Sequence, residues 1–147
     1  MANRYMELRN RQQEEFNAFP AGYAYSDKQF EEMMAKWGLT PDDTDKIYRG
    51  PAGMFYRKSD AEALHEMMDR HDREMKEAIA ADETGEGFIY EMFHFELDNH
   101  EYSYTWDMWP ALDALGYSLE DINADQRLVR GLHKADQEIR KFAEGEK

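Results

Sequence analysis

The sequence predicts a mainly α fold with a minor β component (α+β). About six to seven helices are expected to pack as one domain over residues 1–147, with a small two-stranded hairpin near 46–57 and a flexible tail at 143–147. Apolar residues recur at helical spacing through most of the chain, and Ser-led capping signals precede several of those stretches. Only one pair of β-prone runs brackets a turn sequence.

The first segment, from Asn3 to about Asn17, carries Tyr5, Leu8 and Phe16 among polar residues and reads as an amphipathic helix. Phe19-Pro20-Ala21-Gly22-Tyr23 breaks it. Ser26 opens a second helix, with Gln29 in the capping-box position and Gly38 as its stop. Thr40-Pro41-Asp42-Asp43 restarts a short helical turn, because Pro suits the first helical position and acids suit the positive end of the helix dipole.

Lys46-Ile47-Tyr48-Arg49 and Met54-Phe55-Tyr56-Arg57 flank Gly50-Pro51-Ala52-Gly53, which predicts the hairpin. A two-stranded ribbon is marginal alone and must lean on helices. Ser59 with Glu62 reads as the capping box of the longest helix, which continues to about Asp82. Phe88 to about Asn99 is apolar around most of its circumference, as in a central buried helix. For Tyr102-Ser103-Tyr104-Thr105-Trp106, helix, extended segment and loop all remain open. Pro110 and Gly116 bracket a short helix, Ser118 with Asp121 caps another, and a last helix runs from about Ala124 to Phe142.

Hydrophobic residues form 41% of the chain, enough for a core in a domain of this size. There is no cysteine, so disulfides and thiolate metal sites are excluded. No apolar run approaches the roughly 20 residues a membrane span requires, and a cytoplasmic location is expected. The formal charge of −14 opposes direct binding to nucleic acid or anionic membranes, since such binding relies on Lys and Arg replacing counterions. Two uses of that charge remain: solubility, or docking onto a basic protein surface.

Two Glu-x-x-His steps, Glu62 to His65 and Glu91 to His94, place a carboxylate and an imidazole on one helix face. The wider cluster is the candidate metal set: His65, Asp69, His71, His94 and His100. Without cysteine, zinc would take such imidazole and carboxylate ligands. The alternative is a set of surface histidines on charge-rich helices. His71-Asp72 resembles the dipeptide of HD-type phosphohydrolases, but these need a further histidine upstream and none precedes His65. There is no Gly-x-Ser-x-Gly elbow and no phosphate loop, so no catalytic residue is assigned.

The aromatic series Tyr90, Phe93, Phe95, Tyr102, Tyr104, Trp106 and Trp109 forms either a binding face or a packed core. Tyr23 and Tyr25 sit near a Pro-Gly break and suit exposed recognition. The partner-binding candidates are accordingly Tyr23, Tyr25, Tyr102, Tyr104 and Trp106.

With Gln12-Gln13-Glu14-Glu15-Phe16-Asn17-Ala18-Phe19-Pro20, Phe30-Glu31-Glu32-Met33-Met34 and Lys36-Trp37-Gly38-Leu39-Thr40, the chain resembles a family of small uncharacterised acidic proteins. That family is carried by Gram-positive gut bacteria, their prophages and conjugative elements. The resemblance continues through Asp43-Thr44-Asp45-Lys46-Ile47-Tyr48, Ala78-Ile79-Ala80-Ala81-Asp82 and Asn99-His100-Glu101-Tyr102. It implies a mobile-element origin and carries no activity. In size, charge and setting the chain is similar to anti-CRISPR proteins. The functional expectation is therefore a non-enzymatic inhibitor binding a basic surface of a nucleic-acid-handling protein, such as the type II CRISPR effector nuclease. The alternative is a metal-binding protein or small metal-dependent hydrolase built on the His/Asp/Glu cluster.

Overall fold

In the computed structural model, which describes residues 3–145, eight helices and three short strands follow one another. They are α1 (Arg4–Ala18), β1 (Gly22–Tyr23), α2 (Asp27–Lys36), β2 (Ile47–Arg49), β3 (Met54–Arg57), α3 (Ala61–Ala81), α4 (Phe88–Asn99), α5 (Tyr102–Thr105), α6 (Trp109–Leu115), α7 (Leu119–Asn123) and α8 (Gln126–Gly145). The mainly α class holds. The chain divides into two compact units, residues 14–72 and residues 1–13 with 73–147.

In the unit of residues 14–72, Ser26 caps α2 by accepting the Gln29 N–H at 3.2 Å. Gln29 Oε1 in turn accepts from the Tyr25 N–H at 2.8 Å, one residue outside the usual reciprocal pairing. The hairpin forms with Tyr48 opposite Tyr56 and Arg49 opposite Phe55. It is not two-stranded: Gly22 and Tyr23 pair antiparallel with Phe55 and Met54, giving the order β1-β3-β2. The residues expected only to break α1 thus complete a sheet. A Cβ at Gly22 would stand 2.4 Å from Met33 Sδ, so a side chain there would displace Met33. Met33, Met34 and Ile47 form this unit's core, covered by Phe30, Trp37 and Phe55. Ser59 does not cap α3; it lies in a 3-10 turn, Lys58–Asp60, which Arg57 pins through Asp60 at 2.8 Å.

The other unit is built around α4, whose Ile89, Met92, Phe93 and Leu97 are wholly enclosed. Leu128, Ala135 and Ile139 from α8 meet them, with Tyr5 and Leu8 from α1. Such close packing of two helices needs a small residue at the crossing, and Gly131 supplies it. The Asp82 carboxylate gathers the turn before α4, accepting from the N–H groups of Gly85, Gly87 and Ile89 at 3.0, 3.1 and 3.0 Å. Arg127 Nη1 donates to the carbonyls of Ile79 and Asp82 at the end of α3, where helix carbonyls run out of intrahelical donors. Ser118 and Asp121 form the expected capping box of α7. Residues 143–145, expected in the tail, continue α8, and 146–147 lie outside the described residues. No helix among the described residues is long and apolar enough to cross a membrane.

Candidate interaction surface

The expected metal ligands divide between the two units, with His65, Asp69 and His71 in residues 14–72 and His94 and His100 in the other. His65 and Asp69 are exposed on α3. His71, on the same helix, is buried with Nε2 3.6 Å from a Glu15 carboxylate oxygen. Arg70 also grips Glu15 and holds its carboxyl below the usual range. His94 is half-buried, with Nδ1 4.0 Å from Asp98. His100 follows α4 and donates from Nδ1 to the Glu96 carbonyl at 2.8 Å. Among the described residues of the unit 14–72, His65, Asp69 and His71 do not come within ligand distance of a common point.

The aromatic candidates separate by exposure. In the unit of residues 14–72, Tyr23 and Tyr25 are exposed, as expected of recognition residues. Tyr25 is nevertheless tied down, because its hydroxyl donates to the Ala52 carbonyl at 2.9 Å.

In the other unit, α4 turns Phe93 fully inward and leaves Tyr90 and Phe95 half-buried. The chain then makes a single helical turn, α5, bracketed by Glu101 and Trp106 with φ of 58° and 55°. Side chains seldom accept this left-handed conformation, so the surroundings must hold it. Tyr102 does so from inside: it is buried, and its hydroxyl donates to Asp136 Oδ1 at 2.6 Å. Burial and that carboxylate both push the Tyr102 phenol up. Tyr102 is therefore the anchor of this segment and not one of its presented residues, because its ring is enclosed against α8.

Arg140 closes the arrangement from outside. It donates to Asp136 at 2.9 Å and to the Tyr102 hydroxyl at 3.3 Å, and stacks over the Trp106 ring at 4.7 Å. Trp106 is thus clamped between Tyr102 and Arg140, yet 43% exposed. Tyr104 is 85% exposed and Trp109, on α6, 53%. Trp109 belongs to the presented set, as does Leu119, which carried no signal in the sequence beyond its position at the start of a capped helix.

Charge is concentrated in the same part of the chain. From Glu77 to Gln126 there are thirteen Asp and Glu and neither lysine nor arginine, against a net charge of −14 for the whole protein. Several of these acids are engaged. Arg4 and Arg9 come from α1 to meet Glu91 and Glu96, and Arg127 meets Asp125 and lowers its pKa. Asp121 is held low by the Ser118 backbone N–H and then by its hydroxyl. Glu101, Asp107, Asp113 and Glu120 are exposed, and none makes an ion pair among the described residues. They alternate along the chain with Tyr104, Trp106, Trp109 and Leu119. The result is a stretch of chain in which unneutralised carboxylates and exposed aromatic rings are interspersed, with Trp106 held by Tyr102 and Arg140.

No curated protein and no solved structure matches the chain. One family model matches residues 4–138, nearly the whole length, and by that match the chain belongs to DUF7659, a family of unknown function.

Proposed function

We propose that this chain is a non-enzymatic inhibitor from a phage or mobile element, of the anti-CRISPR type, acting in the bacterial cytoplasm. It docks the acidic, aromatic segment of residues 101–120 onto a basic surface of a nucleic-acid-handling protein, with the type II CRISPR effector nuclease as the first candidate. The observation that carries this reading is the run from Glu77 to Gln126 without a lysine or arginine, in which exposed Tyr104, Trp106 and Trp109 stand among carboxylates. A concentrated negative field accelerates encounter with a basic partner and rejects phosphate backbones. Exposed Trp and Tyr supply the large, stiff anchors on which binding energy concentrates.

The test is direct binding and cleavage inhibition with a panel of purified CRISPR effector nucleases. Binding should weaken as salt rises from about 0.1 M to about 1 M, where the screening length falls from about 10 Å to about 3 Å. Trp106→Ala with Trp109→Ala should abolish inhibition while the far-UV spectrum is unchanged. Absence of both binding and inhibition across the panel would remove the proposal.

A further inference from the structure

The unit of residues 14–72 has its own unpartnered feature, independent of the acidic segment. β2 is an edge strand. The Gly50 N–H bonds the Met54 carbonyl at 2.8 Å while the Met54 N–H turns to the Pro51 carbonyl at 3.1 Å, so the last bonded step of the ladder falls at Gly50 and Met54. Pairs alternate along an antiparallel ladder, so Arg49 opposite Phe55 and Ile47 opposite Arg57 are non-bonded pairs. The backbone N–H and C=O of Ile47 and Arg49 therefore face away from β3. Among the described residues, neither takes part in a hydrogen bond outside the ladder.

Side chains beside this edge form an open cavity of about 570 Å³. Phe30, Ile47 and Phe55 give it apolar walls, and Ser26, Asp27 and Arg49 contribute polar groups. Arg49 lies 5.5 Å over the Phe55 ring. It forms no ion pair among the described residues, although acids outnumber bases 32 to 18. Ile47 and Arg49 are two residues apart on one face, so an apolar site and a cationic site repeat at strand spacing next to free backbone groups.

We infer that β2 receives an extended peptide by strand addition, and that the peptide carries an apolar residue and an acidic residue two positions apart. Its backbone completes the edge at Ile47 and Arg49. Its apolar side chain enters the cavity opposite Ile47, and its carboxylate meets the Arg49 guanidinium. The backbone supplies affinity and the two side chains supply selectivity.

A short fluorescein-labelled peptide with Leu-Thr-Glu at its centre and Thr-Ser flanks tests this by fluorescence polarisation. Amide shifts of the isotope-labelled protein locate the binding. Saturable binding is expected, with the largest shifts at Ile47, Tyr48 and Arg49. Arg49→Glu should weaken it about tenfold, as should Leu-to-Ser in the peptide. A Leu-Thr-Lys peptide should bind R49E better than it binds the unaltered protein. Arg49 is exposed, so the substitution leaves the core intact, and an unchanged amide spectrum elsewhere checks this. No saturable binding, shifts centred away from β2, or equal affinity for R49E would each overturn the assignment.

Discussion

The Tyr102 hydroxyl donates to Asp136 Oδ1 at 2.6 Å, joining a one-turn helix to α8 across 34 positions of sequence. This bond lies under a segment whose two end residues both have left-handed backbone angles. Tyr102→Phe keeps the ring in the core and removes the bond, along with Arg140's contact to the hydroxyl. A net loss of about 1 kcal/mol is expected, because Asp136 keeps Arg140 as a donor. Chemical denaturation measures it. The Trp106 indole should also become more mobile, seen as lower fluorescence anisotropy. Unchanged stability and anisotropy would mean that the segment is held otherwise.

Asp82 organises the turn before α4 through three backbone N–H groups. Burial alone would raise its pKa, but the N–H groups of Ile89, Gly85 and Gly87 outweigh it and the pKa is lowered. The stabilisation is therefore complete above the ordinary carboxylate pKa of 3.8 and disappears as pH falls through the lowered value. Asp82→Ala should cost about 2–3 kcal/mol at neutral pH, since three donors lose one acceptor. The variant should lose less stability than the unaltered protein on acidification below about pH 4. Parallel acid titrations of the two unfolding curves would expose an error.

Tyr5 lies in the core with its phenol raised from 10.0 to about 12, first by burial and then by the nearby Glu96 carboxylate. The unfolded chain ionises this group before the folded one does. Stability is full below pH 10 and falls as pH rises toward 12, by roughly 2–3 kcal/mol at about 1.4 kcal/mol per pH unit. Tyr5→Phe should remove most of that alkaline slope. Stability curves between pH 9 and 12 that overlay for both proteins would contradict the assignment.

Gly131 sits where α8 crosses α4. A Cβ there would meet Gly85 O and Ile89 Cγ2 at 2.6 Å and the Tyr90 amide nitrogen at 3.1 Å. Alanine gains about 1 kcal/mol in helix propensity, but two of these neighbours are backbone atoms that give way poorly. Overpacking at about 1–3 kcal/mol should win. Gly131→Ala is expected to lower Tm by a few degrees in calorimetry, and a rise in Tm would show that the crossing is looser than described.

Local signals in the sequence were largely readable. Ser26, the Ser118–Asp121 box, Pro110 and Gly116 mark helix ends, because each acts on backbone groups within four residues of itself. The Gly-Pro-Ala-Gly turn placed β2 and β3 for the same reason. Ser59 shows the limit. Its spacing to Glu62 matches a capping box, yet Arg57 and Asp60 set a 3-10 turn there instead. Strand β1 gave no signal at all, because two residues carry no periodicity and their pairing is decided by Met54 and Phe55 about 30 positions later.

The helical class, the turn chemistry, the absence of thiol sites and the uneven acidic charge all reside in single residues or short windows, and so were legible before folding. Which rings lie inside and which face water was settled by packing alone. Phe93 and Tyr102 went in while Tyr104, Trp106 and Trp109 stayed out, and His65, Asp69 and His71 were kept from converging. Burial and ligand geometry are properties of distant segments brought together, and Tyr104, two residues along from Tyr102, meets an entirely different neighbourhood.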